Sequence, residues 1–448
     1  MKHKTMKTLA VLLGVLLSAV ASAENKDGSN EPSFIAYKIK AGDTLNRLAH
    51  QYLVQPVDLD AIQKANQLRS LDILKVGAEL NIPRHLVKTS PSKAAIMGLS
   101  CATSIRIGNS SKALTVGTQV SEGAVIEVPA ECHVSLLLED GSIIRLPSSA
   151  SLKISTLRKN ALETAPEVKL DLARGRVELD VNKSRSKSTP FEVRTPISIM
   201  GVRGTEFRVG YSPEDQSSQV EVLGGVVQTR GSTDATAQAI TQGLGVPINA
   251  DGKSLGVEKL LDPPVFAAAK ATTGSPPSFV VQLTAPPHAS YFVADSSNTA
   301  NLTGQRSSQH LLSPELFIPR LTPQVTFYLL TSVSETGLVG TERTYGFCAS
   351  LADGKEARCS ALFDAPLADG VAMSFHLSKT IDGVMHRLLD TQTLHARHGR
   401  FSIQGLPAGH YQWRLSYPMA EPSHASTSHP VIRQSGSFEL ITLPTPSP

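Results

Sequence analysis

The sequence predicts a multi-domain, mainly β protein: one small βααβ module, then an all-β domain, then two β-sandwiches in tandem. Three observations carry that expectation. The chain has 448 residues, which at roughly 100 to 200 residues per domain means about three to four domains. Helical periodicity is confined to a short stretch near the start, and from Leu99 onward the pattern is short alternating strands broken by Gly, Pro, Asn or Asp turns. Proline-rich joints, "LDPPVF" and "GSPPS", then set off a third region.

The N-terminus reads as a leader. Lys2, Lys4 and Lys7 precede an apolar run from Leu9 to Val20, and Ala21 and Ala23 form an A-x-A pattern, so residues 1–23 are expected to be a secretory signal peptide. The apolar run is short for a membrane span, no cysteine follows the cut to accept a lipid, and no later segment nears the ~20 apolar residues a membrane helix needs. The mature chain is therefore expected to be soluble, exported to the periplasm or cell envelope, and without a transmembrane anchor after cleavage. The polar "ENKDGSNEPS" that follows is a flexible lead-in.

Residues 34–84 form the first compact unit. Tyr37 and Ile39 alternate, "AGDT" turns, two helical stretches follow ("LNRLAHQYL" and "VDLDAIQKAN"), and "AELNIP" closes as a strand. Leu45, Leu48, Ala49 and Tyr52 share a helix face, and Asp43 and Thr44 can cap its start. Residues 85–98, with "KTSPSKAA", read as a linker. Residues 99–250 read as all-β, with strands such as "HVSLLLEDGSIIRL", "EVKLDLARGRVELDV" and "QVEVLGGVVQT" and a hairpin turn at Asp140-Gly141. Residues 276–350 and 360–443 repeat the strand pattern as two immunoglobulin-like sandwiches. Tyr411, Trp413 and Leu415 alternate onto one face in the second, which assigns them to its core.

Charge and chemistry exclude several classes. The formal charge is +4, and the leader removes three lysines, so so balanced a chain is no natural nucleic-acid partner. The four cysteines allow three pairings, and proximity favours Cys101 with Cys132 and Cys348 with Cys359. The second bridge would staple the junction of the two sandwiches, a closure worth on the order of 2 to 3 kcal/mol. His386, His395 and His398 do not make a zinc pattern, and neither a metal site nor a cofactor is expected. Without a nucleophile-elbow, HExxH or phosphate-loop motif, no enzyme is predicted.

Two resemblances add function. "YKIKAGDTLNRLAHQYLVQPVDLDAIQKANQLRSLDILKVGAELNIP" resembles a LysM domain: the opening tyrosine strand, the G-D-T-L turn, Asn66 ending the second helix, and the closing Gly77 to Pro83. That resemblance implies a βααβ fold that binds N-acetylglucosamine-containing glycan, usually peptidoglycan in exported bacterial proteins. It places the groove between Gly42, Asp43, Thr44 and Leu45 on one wall and Ile73, Leu74 and Val76 on the other. Here the loop "QLRSLDILKVG" departs from the family's proline-rich look.

The second resemblance is to a FecR-type domain, carried by "EDGSIIRLPSSASLKI", "LDLARGRVELDV", "FEVRTPISIMGVRGTEFRV", "QVEVLGGVVQTR" and "ITQGLGVPI", although the last turn runs Gln242-Gly243 instead of Gly-Gln. The best-known FecR-type members relay a signal to a sigma factor through a cytoplasmic segment and one membrane helix, neither of which is expected in this chain. In "MGVRGT" the glycines Gly201 and Gly204 permit a sharp corner, with Arg203 placed to bond neighbouring carbonyls or pair with Glu206 or Glu178, while Thr205 and Phe207 point to one face and Glu206 and Arg208 to the other. A partner contact by Arg203 is the alternative, and catalysis finds no company. The expected function is non-catalytic peptidoglycan binding, with the FecR-like domain as scaffold or envelope-partner surface. The alternative is a periplasmic sensory or regulatory protein acting on a membrane-bound signalling partner, and a third is an accessory to a wall hydrolase on another chain.

Overall fold

The computed structural model describes residues 34–56, 58–68, 74–107, 110–186, 189–272, 278–302, 306–350, 358–364, 372–395, 400–418 and 431–444. The expected leader and His398 lie outside them. The fold is multi-domain and mainly β, and no helix among the described residues is long and apolar enough to cross a membrane.

The first module pairs β1 (Phe34–Lys38) antiparallel with β2 (Glu79–Pro83). Between them run α1 (Leu45–Tyr52) and α2 (Leu59–Asn66). Thr44 caps α1 by accepting from the Arg47 N–H, and Asp58 caps α2 by accepting from that of Ala61. The apolar faces, Leu45, Leu48 and Ala49 with Ile62, close on Ile35, Leu80 and Ile82 in one small core. Asn66 docks α2 to the sheet: its amide donates to the Asn81 carbonyl at 2.7 Å and accepts from the Asn81 N–H at 2.6 Å, as another strand would.

The stretch expected as a linker is not one. It contains a 3-10 turn (Arg84–Leu86), then β3 (Thr89–Pro91) and β4 (Ala94–Leu99), which are part of a closed barrel running on to Glu258–Lys259. Small residues disguise it: Ser92 and Ala94 are fully buried, and β4 pairs with Val134–Leu138. The same turn fastens the module down. Arg84 donates to both carboxylate oxygens of buried Glu163, at 2.9 and 3.0 Å, and Asn160 donates to one of them. Burial alone would raise the Glu163 pKa, but the bonds from Arg84 and Asn160 outweigh it and hold the carboxyl below its ordinary range.

One long strand, Glu167–Asp180, serves both sheets of the barrel. Its first half pairs with Ser151–Asn160 and Phe191–Thr195, its second with Ile143–Leu146 and Glu206–Ser212. The crossing point is Gly175, with φ +83°, where a Cβ would stand 2.7 Å from the Ala150 backbone. A disulfide joins Cys101 to Cys132.

Past the barrel, strands begin at Val265–Ala271, earlier than the expected boundary at 276. The two sandwiches share one eight-stranded sheet. The closing strand, Val431–Pro444, pairs antiparallel with Gly409–Pro418 and, over its last six residues, parallel with Val339–Ser350. Alternation reveals a strand but not its partner, so this union was not visible in the sequence. A three-stranded sheet (Val265–Ala271, Phe279–Thr284, Glu315–Ile318) covers one end through Phe279, Val281, Tyr345 and Phe347. A two-stranded sheet (Cys359–Asp364, Arg400–Leu406) covers the other, where Phe363 packs on Phe375 and Trp413. Tyr411, Trp413 and Leu415 are core residues, and the Cys348–Cys359 disulfide ties the shared sheet to that cover.

Candidate functional site

The groove expected on the first module is built by two turns held together through one residue. Ile39, just past β1, donates to the Ala78 carbonyl at 2.9 Å and accepts from the Gly77 N–H at 2.8 Å. The turn Lys40–Asp43 and the turn Lys75–Ala78 therefore leave the same end of the sheet side by side. Gly42 has φ +83°, a conformation that strains any side chain, and Gly77 has φ +85°.

Asp43 organises the first wall. Its carboxylate accepts from the Lys40 N–H at 2.7 Å and from the Tyr37 hydroxyl at 2.9 Å. The backbone bond from Lys40, then that from Tyr37, hold its pKa below the usual aspartate range. The Tyr37 phenol is pushed up to about 12, by burial first and then by Asp43. Asp43 is thus a fixed anion committed to the turn.

Thr44 is exposed at the cap, while Leu45 is buried, 2% exposed, and supports the wall from beneath. The first N–H groups of α1 have no intrahelical acceptor. On the second wall Leu74 is half-buried and Val76 is 59% exposed, an apolar side chain offered to solvent. Ile73 lies outside the described residues. Backbone polar groups on one side and exposed aliphatic surface on the other suit a neutral ligand bearing an amide and a methyl group.

The glycine-bracketed arginine behaves differently from its expectation. Gly204 does take a left-handed φ of +58°, and a Cβ there would meet the Lys183 backbone at 2.9 Å. Gly201 has ordinary backbone geometry and open space around it. Thr205 is buried against Gly225, and its carbonyl accepts from the Val181 N–H at 2.9 Å. Arg203, however, is exposed and has no hydrogen bond or ion pair among the described residues. The physical reason is the turn itself: with Gly204 left-handed, residue 203 is its outer point.

The arginine that ties structure together is Arg208, five residues on, which strand alternation places with Glu206 on the face opposite Thr205 and Phe207. It is 2% exposed, donates to the Gly340 carbonyl at 2.9 Å and pairs with Glu342. Glu221, paired with Arg176 at 2.8 Å, accepts from the Val339 N–H at 3.0 Å. The motif thus serves as the dock between barrel and sandwich. Alternation of Glu206 and Arg208 opposite Thr205 and Phe207 was the one available hint.

Comparison with known proteins bears on both regions. Residues 37–83 match the family model of the LysM domain, and residues 124–228 match that described as FecR protein. The chain carries a LysM domain followed by a FecR domain. Two crystal structures of a candidate anti-sigma factor from Parabacteroides distasonis are 22% identical, with 30% of this chain and 59% of theirs covered and a TM-score of 0.25. The extracellular domain of a candidate one-component system from B. thetaiotaomicron is 11% identical, covering 78% of this chain and 57% of its own, with a TM-score of 0.12. This chain spans less than two thirds of the length of those solved structures. No curated protein matches it.

Proposed function

We propose that this is a non-catalytic peptidoglycan-binding protein of the cell envelope. Its LysM domain contacts N-acetylglucosamine-containing glycan, and its FecR domain and sandwiches present a scaffold to an envelope partner. The observation that carries the reading is the pairing of Ile39 with Gly77 and Ala78, which sets the Gly42–Leu45 turn beside Leu74 and Val76. In this reading the turn's backbone engages the acetamido group, and Leu74 and Val76 cover its methyl. Export by residues 1–23 belongs to the same reading.

A sedimentation assay with purified peptidoglycan tests it. Val76→Asp alters a 59% exposed side chain, so the variant folds and melts like the parent but stays in the supernatant. Equal pelleting of parent and variant rejects the groove.

A regulatory reading stands beside this one because the FecR match covers residues 124–228. It requires a second, membrane-bound protein, and capture of one on immobilised barrel-and-sandwich surface that Val76→Asp leaves unchanged would favour it.

A further inference from the structure

The shared sheet of the two sandwiches contains a fork. The parallel pairing of Val339–Ser350 with Val431–Pro444 begins only at Tyr345 and Glu439. Before that point Leu330 and Thr331 hold Arg343 and Glu342, the Thr341 N–H is bonded to the Leu261 carbonyl at 2.8 Å, and Gly409–Pro418 holds the whole of Val431–Leu440, while no further strand pairs with Ser435–Phe438 among the described residues. A cleft of about 620 Å³ lies between the two, lined by Glu342–Thr344 on one flank, Gln434–Phe438 on the other, and the barrel face behind. Open strand edges of this kind invite a further strand.

The walls say which kind. Glu178, Asp180 and Glu206 of the barrel and Glu342 and Glu439 of the sheet bring five carboxylates to the cleft, against Arg145 and Arg343. Glu342 is engaged by Arg208 and Glu439 by His410. Glu206 and Asp180 have neither a side-chain hydrogen bond nor a salt bridge among the described residues. Glu206 is exposed to the cleft, and desolvation by the surrounding walls, then repulsion from Glu342 and Asp180, raises its pKa above the ordinary glutamate value. Trp413 supplies an independent observation: it lines the cleft, is 6% exposed, and its indole N–H has no acceptor among the described residues. Among the described residues, then, Glu206 and Asp180 lack a paired cation and the indole N–H lacks a carbonyl.

We propose that the cleft takes an extended basic peptide, which adds as a strand along the edge at Ser435–Phe438 and sets lysine or arginine side chains against Glu206 and Asp180. Such a peptide meets all three demands at once: backbone groups for the edge, a carbonyl for Trp413, and cations for the carboxylates. A neutral glycan offers acceptors without charge, and an acidic peptide is repelled. The inference is independent of the LysM groove, because it concerns a different module.

Trp413 is the sole tryptophan of the chain, so its fluorescence reads this site directly. The full chain is titrated with an acetylated, amidated Lys-Ala-Lys-Ala-Lys-Ala peptide, with its Glu-Ala counterpart, with the basic peptide N-methylated at alternate residues, and with the tetramer of N-acetylglucosamine. The expected result is a saturable emission change with the basic peptide, at least tenfold weaker affinity after N-methylation, and none with the other two. Glu206→Gln is expected to weaken binding at least tenfold, and Asp180→Asn, the second carboxylate the peptide would meet, keeps the test valid if the first variant melts early. No response to the basic peptide, equal response to the acidic one, affinity untouched by N-methylation or by both variants, or a glycan giving the same saturable change would each overturn the proposal.

Discussion

At the tip of the LysM module two turns are joined through the backbone of Ile39, and the carboxylate that organises them, Asp43, is bonded to a residue three positions away and another six positions away. Between barrel and sandwich the join is made by side-chain charges, with Arg208 reaching Gly340 and Glu342 across 132 and 134 positions of sequence. The first site is coded locally and survives as long as its small core does. The second exists only when three distant segments have already folded. A variant at either place should therefore fail in a different way, and the contrast can be tested.

The largest effect is expected at Arg208. Replacing it with Met removes the dock while leaving the Gly340 carbonyl without its donor and Glu342 without its cation, and because the Glu342 side chain is 40% exposed the cost falls at the low end of the buried-pair range, about 3 kcal/mol. A thermal melt of Arg208→Met should fall well below the parent, with peptidoglycan pelleting retained at low temperature. An unchanged melt would mean that apolar contacts, such as Leu338 against the barrel glycine Gly245, hold the domains together without it.

Next comes acid. The folded pKa of Glu163 is depressed, so its contribution is fully present above the unfolded value of about 4.3 and is lost as pH falls through the folded value. The Arg84–Glu163 tie between module and barrel should therefore weaken below about pH 4, and Glu163→Gln should remove that part of the acid dependence while lowering stability at neutral pH by about 3 kcal/mol. Chemical denaturation at pH 7 and at pH 3.5 reads both. If the parent and Glu163→Gln lose stability equally on acidification, another carboxylate governs the step.

These two joins also mark where the sequence stops being legible. The βααβ module could be read because its periodicities, caps and turns lie within one short segment, and Gly42, Asp43 and Thr44 stand where the turn pattern put them. Strands of the barrel could be read by alternation, but its start could not: Ser92 and Ala94 are buried through smallness, and a short Ser/Pro/Lys-rich run looks like a linker whether or not it is paired. Arg203 and Arg208 show the same limit. Both flank the same glycine corner, and only the fold decides that Gly204 turns Arg203 outward while Arg208 meets a sandwich more than a hundred residues away. The shared eight-stranded sheet was hidden for the same reason, since a strand's own residues do not name its parallel partner.

The smallest effect sharpens the comparison most. Tyr37→Phe deletes the hydroxyl that Asp43 accepts from, while the Lys40 N–H, the first cause of the low Asp43 pKa, remains. One net hydrogen bond of this kind is worth about 1 kcal/mol, so the melt should drop only slightly and the turn should keep its shape. Tyr328 and Tyr411 are also pushed up to about 12 by burial, so the absorbance change there should shrink by one phenol and not vanish. Peptidoglycan pelleting should persist, in contrast to Val76→Asp, which leaves stability alone and removes binding. If Tyr37→Phe instead abolished pelleting at an unchanged melt, the phenol would be a ligand contact, and the groove would depend on a side-chain donor as the barrel-to-sandwich dock does.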